Sequence, residues 1–148
     1  MRIGPVLAAL SLVLASGCVE SSRRDARNEA MLVIARYDAV RTASPETMEQ
    51  RVGELSRVVV RDAEVRTVRD RCTRVYGAFV RARQLSDDAR ERFDRYAATP
   101  AASRSAEEGR ALERMLTEAN AAALVAQRGV SGCVDGIGRL RSRYEGGR

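Results

Sequence analysis

From Ser22 to about Thr42 the apolar residues Ala26, Ala30, Val33, Ile34, Tyr37 and Val40 recur at spacings of three and four, the pattern of a helix that buries one stripe. Ser44-Pro45-Glu46 then supplies a capping hydroxyl, a proline for the first helical position and an acid for the first turn. A second helix is expected to start there, and so short a connection favours an antiparallel neighbour. Its stripe begins as Met48, Val52, Leu55 and Val59 and continues as Val58, Val65, Val68, Cys72, Val75, Phe79 and Ala82, with a phase slip near Asp62. Either one long helix runs to about Gln84 with a local twist, or it breaks around Val60–Ala63. Val58-Val59-Val60 also has the β-branched composition of a strand, although no partner run of similar composition appears.

Leu85-Ser86-Asp87-Asp88 reads as the opening of a short helix that carries Phe93 and Tyr96 and stops at Thr99-Pro100. After a loop, Ser105-Ala106-Glu107-Glu108 is a capping box. Leu112, Met115, Leu116, Ala119, Ala123 and Ala126 mark the buried face of the helix it opens, and Gly129 is placed to end it. A last segment from Ser131 puts Cys133, Val134, Ile137, Leu140 and Tyr144 on one side. Gly132, Gly136 and Gly138 weaken it by about 1 kcal/mol each relative to alanine. The fold class expected is all-α, a small bundle of four principal helices plus a short one. Leu124 and Val125, beside Ala121, fall off the buried face and form a candidate docking patch.

Composition narrows the chemistry. The 148 residues carry 26 cations, all arginine, against 20 acids, and contain no lysine, histidine or tryptophan. Without histidine there is no Ser-His or Cys-His nucleophile pair, no His-ligated metal and no Cys-x-x-Cys-His haem attachment. Leu, Ile, Val and Phe make up only 25 of the 131 residues from Cys18 onward, but 20 alanines accompany them. Alanine-rich, Arg/Glu-rich sequence with few aromatics suits closely packed amphipathic helices.

The N-terminus has a pattern of its own. Arg2 precedes an apolar run from Ile3 to Ala15, interrupted by Gly4, Pro5 and Ser11 and too short to span a bilayer. The run ends Leu14-Ala15-Ser16-Gly17-Cys18, which resembles a bacterial lipobox, with Ala15 where leucine is commonest. The resemblance covers residues 1–18 only. It implies cleavage before Cys18, a diacylglyceryl group on the Cys18 thiol and attachment to a membrane by two or three acyl chains. An ordinary signal peptide cut after Ala15 or Gly17 is the alternative. In enterobacterial lipoproteins an aspartate after the lipidated cysteine retains the protein in the inner membrane. Val19 at that place implies the periplasmic face of the outer membrane. The expected organisation is a signal peptide over 1–17, a lipidated cysteine and tether over 18–24, and a helical domain over 25–148.

With Cys18 given to lipid, Cys72 and Cys133 remain, and an even pair in an exported chain is most simply a disulfide. It would close a loop of about 60 residues and contribute on the order of 4 kcal/mol. Two thiolates without histidine leave a zinc site half filled, so no metal and no cofactor are expected. Arg57, Arg69, Arg71 and Arg83 flank the stripe of the second helix, and Arg69 and Arg71 are the candidate anion-binding residues, since guanidinium grips phosphate and carboxylate bidentately. The competing role is to cover the core edge with methylene stems beside Glu54, Asp62, Glu64 and Asp70. Nucleic acid is not an expected partner, because the cations are scattered among acids and no aromatic series is available for base stacking. Asp87-Asp88 and Glu107-Glu108 sit where helix N-termini attract negative charge, and no catalytic residues are assigned. The function expected is a membrane-anchored, non-enzymatic binding or scaffold protein that engages an envelope protein or a cell-wall component. A periplasmic chaperone-like or anion- or cell-wall-binding protein is the alternative, with a secreted enzyme ranked below it.

Overall fold

A computed structural model of the chain describes residues 7–146, with side chains from Ser21 onward. Residues 1–6 of the expected signal segment lie outside the described residues, and Cys18 lies outside the described side chains. The described residues form α1 (Leu7–Arg41), α2 (Met48–Ser56), α3 (Ala63–Ala98) and α4 (Ala106–Tyr144), with a 3₁₀ turn at Ala101–Ser103 and no strand. The protein is all-α, a helical bundle in which Cys72 and Cys133 form a disulfide.

α1 begins at Leu7 rather than at Ser22 and runs through the segment expected as a tether, residues 18–24; on its expected stripe Ala30, Val33, Ile34, Tyr37 and Val40 are buried and Ala26 is half-buried. The next helix starts later than Pro45. Thr47 and Met48 both donate backbone N–H to the Ser44 carbonyl, at 3.1 and 3.0 Å, and this turn delays α2 to Met48. The phase slip near Asp62 is a true break. Asp62 is in extended conformation as the N-cap of α3, and its Oδ1 accepts the Val65 N–H at 2.9 Å. Between the helices Val58 and Val60 turn inward and Val59 is 80% exposed, so the valine triplet alternates like a strand yet pairs with nothing. Glu29 satisfies part of this exposed backbone, its Oε2 accepting N–H from Arg61 and Asp62 at 2.9 Å each.

Two expected helix boundaries are absent. Ser86 does not cap a new helix, because its hydroxyl donates back to the Ala82 carbonyl at 2.8 Å while Leu85 and Ala89 carry the buried stripe straight through. Gly129 does not end a helix either. A Cβ at this position would lie 2.5 Å from Val75 Cγ2, and at Gly136 it would lie 3.0 Å from Val68 Cγ2, so both glycines mark close approach between α3 and α4. Ser105 does cap α4, accepting the Glu108 N–H.

The core is confined to the inner half of the molecule, where α1, α2, the first part of α3 and the last part of α4 meet around Val33, Leu55, Val65, Cys72, Cys133 and Leu140. Asp38 with Arg141, Glu54 with Arg36 and Glu64 with Arg143 tie its helices together at the surface. Outward from there α3 and α4 pack only on each other, burying Leu85, Ala89, Leu112, Ala119 and Ala126. A single neighbour covers a narrower strip than a bundle does. Leu116 and Ala123, expected on the buried face, are consequently exposed; Val134, also expected there, is exposed on the outer side of α4 beside Cys133, and Phe79 is 40% exposed at the edge of the α3 stripe.

Candidate functional site

Arg69 and Arg71 stand two residues apart on α3 and therefore point about 200° apart around the helix. Arg69 is turned toward the linker: Nη1 donates to the Val58 carbonyl, Nε donates to Asp70 Oδ1 at 2.8 Å, and its side chain is only 15% exposed. Arg71 turns to the opposite helix and donates from Nη1 to the Gly132 carbonyl at 3.3 Å. The structure does not bring the two guanidiniums together as one fork. Of their sequence neighbours, Arg83 pairs with Asp87 at 3.4 Å, one turn further along α3.

The disulfide stands where the stripes predict it. Cys72 and Cys133 are fully buried, with their Cα atoms 4.9 Å apart across the α3–α4 seam. Gly129 and Gly136 lie one turn to either side of Cys133, which allows that approach. The pair faces the core and is a structural element of the site's support.

The outer part of the α3–α4 hairpin is a different kind of surface. Gln84 donates to Glu49 at 3.0 Å, and beyond this bond from α2 the two helices continue as an arm ending at Ala98 and Ala106. From Asp88 to Ala98 this is about 16 Å of helix. The arm and its shoulder carry Phe79, Phe93, Leu116, Leu124 and Val125, exposed by 40% to 58%. Leu124 and Val125, the candidate docking patch, lie near the level of Phe79 in the antiparallel register that sets Gly129 against Val75. At the arm's tip Arg104 closes the turn, donating from Nε to the Thr99 carbonyl and from Nη2 to the Ala97 carbonyl at 3.0 Å each, with its guanidinium over the Tyr96 ring.

The other end of the bundle holds a polar cleft of about 520 Å³ between the middle of α1 and the end of α4, with Arg23, Arg27 and Arg143 among its lining. Sequence reasoning missed this grouping, because Arg143 comes from the far end of the chain. Among the described residues no group of His, Cys, Asp or Glu is arranged to hold a metal ion, and no helix is long and apolar enough to cross a membrane. No known protein family, no curated protein and no solved structure matches the chain.

Proposed function

We propose that the protein is a bacterial envelope lipoprotein, anchored through lipid on Cys18 at the periplasmic face of the outer membrane, that acts as a non-enzymatic binding or scaffold module. The order of residues from Arg2 to Cys18 supports the anchor. The α3–α4 arm supports the module. Its own seam is filled by Leu85, Ala89, Leu112, Ala119 and Ala126, so Phe93, Leu116, Leu124 and Val125 are surplus to folding and lie on the surface. Apolar side chains on an arm that stands clear of the bundle suit docking of an envelope protein better than capture of a polar cell-wall polymer.

Two measurements test this reading. The intact mass of the protein from a lipoprotein-competent host is expected to show a chain beginning at Cys18 with a diacylglyceryl group, and an unmodified terminus removes the anchor. A photo-crosslinking residue at Phe93 or Leu116 in native envelopes is expected to capture one stoichiometric partner, and one at Arg36 on the bundle is not. Many unfolded clients captured at both places would favour the chaperone-like alternative.

A further inference from the structure

We infer that the tether end of the bundle is a binding site for the phosphate of an anionic lipid headgroup, held by Arg23, Arg27 and Arg143; the inference rests on the lipid-anchored reading above. The cleft there has about 520 Å³, within the range of small-ligand sites, and its lining sets these three guanidiniums against a single carboxylate, Asp62. That carboxylate is committed, since Asp62 Oδ1 caps α3 through the Val65 N–H. Arg143 uses Nη1 for Glu64, and its guanidinium lies 5.3 Å from the Tyr144 ring centroid, which braces it beside the cleft. Arg23 and Arg27 are one turn apart and make no ion pair or hydrogen bond with any described side chain.

The acids of α1 itself are turned away from that face. Asp25 and Glu29 are also one turn apart, but lie about 200° around α1 from Arg23 and Arg27, and with Arg61 line an adjoining cleft that shares Ser22, Ala26 and Asp62 with the first. Glu29 is occupied there by the Arg61 and Asp62 backbone. The middle of α1 thus has a basic side turned to the end of α4 and an acidic side turned to the start of α3. Arginine forks recognise phosphate oxygens bidentately, so the basic side fits a phosphate better than a halide or a neutral sugar.

Position decides the source of the phosphate. α1 carries the chain from Cys18 through Arg23 to Arg27 in one helix, which places their Cα atoms about 8 and 14 Å along the axis from Cys18. If acyl chains on Cys18 sit in the hydrocarbon layer, the cleft opens at headgroup depth, within about a Debye length of the surface. A lipid anchor fixes one point of the domain. Headgroups gripped between α1 and α4 would fix its tilt as well, and with it the direction of the arm at the opposite end.

The test uses the full chain made in a lipoprotein-competent host, with its N-terminal mass read first. Partitioning onto vesicles of phosphatidylcholine alone is compared with vesicles containing phosphatidylglycerol, across salt. Wild type is expected to favour the anionic vesicles by at least about tenfold at low salt. The variant Arg23→Gln/Arg27→Gln/Arg143→Gln loses that preference, whereas Arg90→Gln/Arg92→Gln/Arg110→Gln, equal in charge change but on the arm, retains it. Equal losses in both variants, or an unchanged preference in the first, overturn the site. Displacement by inorganic phosphate beyond the effect of chloride at matched ionic strength assigns the cleft to soluble phosphate and also overturns it. A lipid-free terminus with a preference that still depends on these three arginines removes the anchor and leaves the headgroup site standing; a lipidated terminus without the preference does the reverse.

Discussion

Tyr76 shows how a single side chain records the packing of this bundle. Its ring meets Tyr37 of α1 edge-on, with centroids 6.0 Å apart, and meets Phe79 at 6.1 Å. Burial first, and then the hydrogen bond with Tyr37, pushes its phenol up from 10.0 to about 12, with Arg41 pulling weakly the other way. The folded chain therefore keeps the Tyr76 proton over a range in which the unfolded chain has lost it. Its contribution is whole below about pH 10 and is lost as pH climbs toward 12, so the unfolding free energy falls across that window. Denaturant unfolding at stepped alkaline pH is expected to show this fall in wild type and less of it in Tyr76→Phe. Phenolate absorbance should show one late tyrosine that is missing from the variant. Equal pH slopes in the two proteins would mean that Tyr76 ionises as a solvated phenol does.

At the scale of the element, the two glycines that resemble each other in sequence do opposite things. Gly129 sits where an added methyl meets Val75, while Gly138 has nothing within 4 Å. Gly138→Ala is expected to stabilise the protein by up to about 1 kcal/mol, through helix propensity alone. Gly129→Ala gains the same propensity but forces apart a seam where overpacking costs about 1–3 kcal/mol, and its net effect is a lower unfolding midpoint. Thermal melts of the two variants side by side check the sign of each. The same contrast explains what the sequence could and could not tell. The stripes of α1 and of the Cys72 face were legible, because each helix there is buried on one side against the core. The breaks expected at Ser86 and Gly129 were not real, since a capping serine and a serine that bonds back to Ala82 look identical in sequence. A glycine that ends a helix likewise cannot be told from one that admits a neighbour. The valine triplet kept its alternation but lost its strand for want of a partner. The cysteine pair could be read from parity and periodicity, whereas the grouping of Arg23 and Arg27 with Arg143 depends on a fold that brings together residues more than a hundred positions apart.

For the molecule as a whole, the consequence of this layout is an unequal division of stability. Most of the buried side chains lie in the inner half, and the arm holds only a thin seam of leucine and alanine. The disulfide stands within the core rather than on the arm, joining α3 to α4 across 61 positions and enclosing the whole arm in its loop. Cross-linking there removes from the unfolded chain the freedom that a small core is least able to offset, a contribution on the order of 4 kcal/mol. Full reduction, or the pair Cys72→Ser and Cys133→Ser, is therefore expected to lower the unfolding midpoint by roughly 15 °C for a domain of this size. The arm should respond in its own way. Its backbone amides from Asp88 to Ala98 are expected to exchange faster than those around Val68 even with the disulfide intact, because few buried contacts oppose local opening there. Hydrogen exchange with and without reductant separates the two effects. If the amides around Val68 keep their protection after reduction, helix packing alone closes the bundle and the disulfide is dispensable for stability. If their protection collapses to that of the arm, the staple is what lets an arginine-rich chain with few large aliphatics hold a single fold, and a reducing compartment would not support it.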